Sequence, residues 1–188
     1  METETHYTPV AKVLHWTVVI LLTTEFLTAW IMPEIRGNQS PEFLLNIHMS
    51  FGLAIIILLA IRFLWGIRHP APELSESIPK WQRKLAGLVQ RTIYALLVLV
   101  PVFGWAWASS SGWDANVFGL FTLPPIISAG SAWGGVASSL HEGLATILLI
   151  LVGVHVGASL YHFLVVKDQV MQKMLPKKFF KQSQSLYQ

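Results

Sequence analysis

Apolar and polar residues alternate along this chain on the scale of whole helices, giving four long greasy runs separated by polar loops. The runs cover about residues 10–32, 43–65, 92–108 and 138–166. Crossing ~30 Å of hydrocarbon takes about 20 helical residues, so each run is a candidate span. Thr8 and Pro9 read as the N-cap and first residue of the first helix. That run is too long for the apolar part of a cleavable signal, and no small-x-small site follows it, so it reads as a retained helix. Pro33, Gly37 and Pro41 break the chain before the second run. Residues 109–137 are rich in Gly, Ser and Pro and carry Trp113, Phe118, Phe121 and Trp133, aromatic residues of the kind that sit at headgroup level. The pattern predicts an all-α, integral membrane four-helix bundle forming a single transmembrane domain over residues 1–188, without internal repeats.

Composition strengthens this reading. Of 188 residues, 53% are hydrophobic and only 12% charged, and the mean hydropathy is +0.53. Soluble domains carry roughly a quarter charged residues, so this chain has too little polar surface to face water. It has no cysteine. That excludes disulfides, thiolate metal sites, cysteine-held iron–sulfur clusters and thioether-linked haem.

The positive charges orient the bundle. Lys12 precedes the first span. Arg62, Arg68, Lys80, Arg83, Lys84 and Arg91 surround the second loop, and Lys167, Lys173, Lys177, Lys178 and Lys181 follow the last span. Only Arg36 lies on the other side, and no Lys or Arg occurs between Arg91 and Lys167. The positive-inside rule puts both termini, including a basic tail over 176–188, in the cytoplasm. Loops 33–42 and 109–137 then face outward, which for a bacterial inner membrane is the periplasm. Membrane lipid is the expected surround, and no nucleic-acid partner is expected.

Seven histidines remain to be explained. His6 and His69 lie in polar flanks and read as solvated. His15, His48, His141, His155 and His162 lie in or at the ends of spans, where an imidazole needs a partner. At ~100° per residue, the fourteen-residue step from His141 to His155 returns to within about 40° of its starting direction and rises ~21 Å. The two therefore share one stripe of helix 4, one near each side of the membrane. His15 lies near the inner start of helix 1 and His48 near the outer start of helix 2. By depth the four sort into His48 with His141 outside and His15 with His155 inside.

Two imidazoles from facing helices at one depth suit axial ligation of a flat macrocycle from both faces, and a bundle core is a natural place for one. Two levels imply two haems. Zinc competes less well, since a structural site wants four ligands. Gly52, Gly143, Gly153 and Gly157 flank these positions and would give a macrocycle backbone room, although small residues serve plain helix packing equally. Glu25, an ionisable residue well inside helix 1, reads as structural, as the acceptor of a hydrogen bond from a neighbouring helix, or as a proton relay.

Several short motifs resemble the bacterial cytochrome b561 family of small di-haem membrane proteins. They are Leu14-His15-Trp16, Ile47-His48, Pro101-Val-Phe-Gly104, Phe118-Gly-Leu followed by Leu123-Pro124, His141-Glu142, His155, and His162 with Lys167-Asp168 beyond. The resemblance covers about residues 7–176. It implies four transmembrane helices and two haem b groups in the core, ligated by the same two histidine pairs. It also implies transfer of electrons across the bilayer from periplasmic superoxide to ubiquinone, an oxidoreductase of the superoxide:quinone type. With both axial positions filled, one-electron outer-sphere transfer is favoured over oxygen activation. Quinone reduction needs a proton donor, and His162, ~10 Å beyond His155 toward the cytoplasm, is placed for it. Arg62, Arg68 and Arg91 suit the inner propionates, the quinone head or lipid phosphate.

Other functions fit the same spans. A cytochrome b electron-relay subunit would link a soluble periplasmic dehydrogenase or hydrogenase partner to quinone. Its docking surface would be the 109–137 loop, since loop 33–42 is short; against an anionic donor, only Arg36 stands on the outer face beside Glu34, Glu42, Asp114 and Glu142. A haem-free proton-coupled transporter would use the histidines as proton carriers.

Overall fold

A computed structural model of the chain describes residues 6–32, 42–72, 78–168 and 170–175. Its frame is four helices, α1 (Pro9–Ile31), α2 (Glu42–Arg68), α3 (Lys80–Ser110) and α4 (Trp133–Tyr161), all long and apolar enough to cross a membrane. Thr8 caps α1, its Oγ1 accepting the Ala11 amide at 3.2 Å, with Pro9 in the first turn. The same hydroxyl oxygen accepts the Trp65 indole N–H at 2.9 Å, which ties the start of α1 to the end of α2.

The helices outrun the apolar stretches. α3 begins at Lys80, twelve residues before the apolar run, because the charged and amide residues from Lys80 to Arg91 are good helix formers that need not lie in hydrocarbon. α4 starts five residues early, at Trp133, and after Tyr161 continues as one π-helical turn, His162–Val166. Lys167, in the left-handed region at φ 57°, stops it. The expected breaks at Pro33, Gly37 and Pro41, the outward Arg36 and the tail 176–188 lie outside the described residues.

α1 packs on α2, α2 on α3, and α3 on α4, whereas α4 makes no extensive backbone approach to α1 or α2. Val18, Ile55, Leu59, Leu96, Leu97 and Leu148 meet as the buried core, one or two from each helix. Leu148 is seven residues from both His141 and His155, so the dry midplane lies between the two histidine levels. Many other large apolar residues, such as Val13, Ile20, Phe63 and Ile150, are exposed. In water that surface would cost free energy; in lipid it is the solvated face.

The outer loop is less irregular than its composition suggests. Strands β1 (Ala115–Val117) and β2 (Phe121–Leu123) pair antiparallel around a turn with positive φ at Phe118 and Gly119. That is the primed geometry that matches strand twist. The Phe118 amide donates to Ser50 Oγ at 2.8 Å, and the Ser50 hydroxyl donates to the Asn46 carbonyl at 2.6 Å. With Phe51 and Phe118 rings 5.8 Å apart, the hairpin is pinned to α2 beside His48. At the opposite end of the bundle, Lys12 Nζ donates to the Leu175 carbonyl at 2.7 Å and Trp16 Nε1 to that of Met174 at 3.2 Å, fastening the chain after α4 to the start of α1.

Candidate functional site: two imidazole pairs between helices

Antiparallel packing of α1 on α2 puts the start of one beside the end of the other, so position 48 lies at the depth of position 25. The structure brings the imidazoles together in twos. His48 of α2 faces His141 of α4 with ring centroids 6.0 Å apart and planes at 81°. His15 of α1 faces His155 of α4 at 6.5 Å and 66°. These rings meet across the gap where the helices carrying them do not pack closely.

The separations fit one chemistry well. A metal–imidazole bond is about 2 Å, so two rings ligating one metal from opposite sides have centroids roughly 6 Å apart. Among the described residues no cluster of three or more His, Asp or Glu side chains could hold a metal ion, which leaves each level with a pair rather than the four ligands of structural zinc. The donor set fits an axially ligated macrocycle.

Each outer imidazole is also aimed. His141 Nδ1 lies 2.8 Å from the Val100 carbonyl, so it carries the proton and donates, leaving Nε2 as the free lone pair. The approach is possible because residue 104 is glycine: a Cβ there would stand 2.8 Å from His141 Nδ1 and 3.0 Å from Cε1. Pro101 in the same turn removes one backbone donor from the α3 ladder. His48 Nδ1 lies 2.6 Å from Glu25 Oε2, a carboxylate–histidine arrangement of the kind that fixes metal ligands. Thr28 borders this contact, its Oγ1 3.5 Å from His48 Nδ1.

At the His15–His155 level the neighbouring charge is Arg62, which reaches the main chain of Ala11, one turn before His15. Its Nε donates to the Tyr94 hydroxyl at 2.5 Å and its Nη1 to the Ala11 carbonyl at 3.1 Å. Arg68 and Arg91 are exposed. Further inward, His162 Nδ1 meets Asp168 Oδ2 at 2.5 Å. The π turn and the left-handed Lys167 fold the chain back so that the aspartate reaches the ring.

The glycines divide differently from expectation. Gly52 serves helix contact, since a Cβ there would lie 3.4 Å from Pro101 Cβ. Gly143, Gly153 and Gly157 have no atom within 4 Å of their Cβ positions. Each is two residues from a histidine, about 200° around the helix, so they lie on the side of α4 turned from the rings. The room at the outer pair comes instead from Gly104. Val100 carries no signal in the sequence, and Gly104 shows only as the end of the Pro101-Val-Phe-Gly104 motif inside a span. Asp168 was visible only as a motif residue.

The sequence matches the family described as prokaryotic cytochrome b561 over residues 6–177. A protein of Yersinia pestis named probable superoxide oxidase CybB is 31% identical over 173 residues, covering 88% of this chain and 93% of that protein. Two proteins of Escherichia coli are also similar. Cytochrome b561 homolog 1 is 25% identical, covering 88% of this chain and 94% of its own length. Cytochrome b561 homolog 2 is 27% identical, covering 93% of this chain and 94% of its own length.

Proposed function

Since the chain belongs to the prokaryotic cytochrome b561 family, multi-pass bacterial membrane proteins that bind haem b and transfer electrons, we propose that it carries single electrons from the outer face to a quinone at the inner face. The finer reading is a superoxide:ubiquinone oxidoreductase, oxidising superoxide to oxygen and reducing ubiquinone to ubiquinol, with both chain termini in the cytoplasm. The observation that carries it is the pair of facing imidazoles at each of two levels, 6.0 and 6.5 Å apart, in a four-helix membrane bundle.

His48 and His141 would hold one haem b, and His15 and His155 a second. When bound, each group would supply a one-electron carrier, with two imidazoles of this chain holding it. Glu25 and the Val100 carbonyl keep the outer imidazoles in the tautomer that offers Nε2. Leu148 and its buried neighbours exclude water between the levels. Arg62 places a cation beside the inner pair, while Arg68 and Arg91 suit lipid phosphate at the inner surface. Each quinone takes up two electrons and two protons, and two superoxide anions give up the electrons. His162, held through Nδ1 by Asp168, has Nε2 left to pass a proton to a quinone oxygen.

A second reading, relay from a soluble periplasmic partner, is favoured by the acidic outer groups Asp114 and Glu142, which do nothing to steer an anion. Haem per chain, measured on the purified protein with His141→Ala and His155→Ala, tests the ligand assignment. Each replacement should cost one haem and keep the other; colourless protein from haem-replete cells overturns the assignment and favours the haem-free transporter. Stopped-flow mixing with superoxide, with and without ubiquinone, then decides the donor. Fast reduction reoxidised by quinone supports the oxidase, and no reduction by superoxide leaves the relay.

A further inference from the structure

Glu25 is a buried carboxylate, 8% exposed, in a helix surrounded by apolar side chains. Ten residues beyond His15, it stands ~15 Å further along α1, at the level of the outer pair. Its Oε2 is 2.6 Å from His48 Nδ1, and its Oε1 is buried with no hydrogen-bond partner. Thr28, one turn on, spends its own proton on the Glu25 main-chain carbonyl at 2.9 Å. A charge so poorly solvated is retained only where something compensates it, and here that is the imidazole N–H, the neighbouring Gly52 backbone amide and whatever positive charge lies behind the ring. The other outer imidazole, on His141, donates to a neutral carbonyl.

The inner level is built with the opposite sign. Arg62 reaches the Ala11 carbonyl one turn before His15, which sets its guanidinium at the level of this pair, and its described partners, the Tyr94 hydroxyl and the Ala11 carbonyl, are both neutral. An anion therefore attends one imidazole pair and a cation the other, with the apolar core between them keeping the dielectric low and the charges poorly screened.

On the bis-histidine reading above, we propose that Glu25 is a positioning residue that fixes His48 as a ligand and makes the outer centre the lower-potential one, so that electrons run downhill to the inner centre beside Arg62. A carboxylate pulling on the Nδ1 proton gives the ligand imidazolate character and raises its basicity, which favours the ferric state. Its negative charge works in the same direction, while the Arg62 guanidinium favours the ferrous state at the inner level. The groups held by His48 with His141 and by His15 with His155 would exchange one electron, the first losing what the second gains, with no bond or proton changing place.

The test is a redox titration of the purified holoprotein, following the α-band in wild type, Glu25→Gln and Glu25→Ala. His155→Ala, which should keep only the outer haem, assigns the two transitions. In wild type the outer transition should be the lower. Glu25→Gln should shift the outer ferric–ferrous equilibrium toward ferrous by tenfold or more, about 59 mV for one electron, and move the inner one far less. The low-spin ferric EPR g-values of the outer centre should move with it. Potentials and g-values unchanged in Glu25→Gln, or an inner transition below the outer in wild type, overturn the proposal. If both Glu25 variants shed the outer haem, wild type alone decides. The EPR signal with imidazolate character must persist to the lower potential, and its disappearance first, or its absence, refutes the idea. Colourless wild-type protein would refute the bis-histidine reading instead, a result distinct from a coloured protein with unmoved potentials.

Discussion

Gly104→Ala adds one methyl group to a helix facing the outer pair, and its consequence follows from distances. The new Cβ would stand 2.8 Å from His141 Nδ1 and 3.0 Å from Cε1, against the 3.4 Å at which ordinary contact begins. The ring must retreat by about 0.6 Å, or α3 must yield around Pro101. Over-packing of this kind costs about 1–3 kcal/mol. The retreat also stretches the 2.8 Å bond from His141 to the Val100 carbonyl, a contact worth about 0.5–1.5 kcal/mol. Together these give about 1.5–4.5 kcal/mol, which at 1.4 kcal/mol per decade is a roughly 10- to 1,600-fold weaker hold on the haem proposed at this pair. On the two-haem reading, transfer of haem from detergent-solubilised protein to apomyoglobin would measure it, the outer half leaving fast and the inner half at the wild-type rate. Gly66→Ala is the matched control, a helical glycine with no atom within 4 Å of its Cβ position. Wild-type haem retention and an unshifted spectrum in Gly104→Ala would refute the claim that this glycine makes room for the ring.

Three further outcomes are expected. Ser50→Ala removes the acceptor of the Phe118 amide from a side chain only 1% exposed, and should cost about 1–3 kcal/mol, read as a lower midpoint in thermal bleaching of the outer haem with the inner one less affected. Asp168→Asn breaks the charged partner of His162 and should slow ubiquinol formation roughly tenfold or more while leaving dithionite reduction of the haems unchanged; equal slowing of both would refute the proton role. Burial raises the Tyr7 phenol above its ordinary 10.0, with Arg62 pulling the other way. The folded state therefore holds that proton more tightly than the unfolded chain, so stability is intact below pH 10 and falls as pH rises through the folded value. Thermal melts between pH 8 and 11 should show the fall in wild type and a smaller one in Tyr7→Phe.

What the sequence made legible was periodicity. His141 and His155 declare a shared stripe, and the charge asymmetry fixes which ends of α1 and α2 lie together, so the pairings follow without coordinates. What stayed hidden was set by contact between helices. Glu25 meets His48 through the register of α1 against α2, which depends on the path of the chain between them. The Val100 carbonyl has no side-chain signature, and Gly104 differs from a packing glycine only through the ring that lies on it. The early start of α3 was hidden for another reason: hydropathy measures hydrocarbon thickness, while the Lys80–Arg91 turns are helical in water.

The apolar plug at Leu148 has an energetic consequence of its own. Fourteen residues of α4 separate the two imidazole levels, ~21 Å of rise, or about two-thirds of a ~30 Å dielectric. Charge that crosses there without a companion ion is displaced across most of the field, worth about 1.5 kcal/mol per electron for every 100 mV, since a full crossing is worth about 2.3. On the proposed inward route turnover is therefore electrogenic, opposed by the inside-negative voltage it helps to build, and collapsing that voltage with an ionophore should accelerate it.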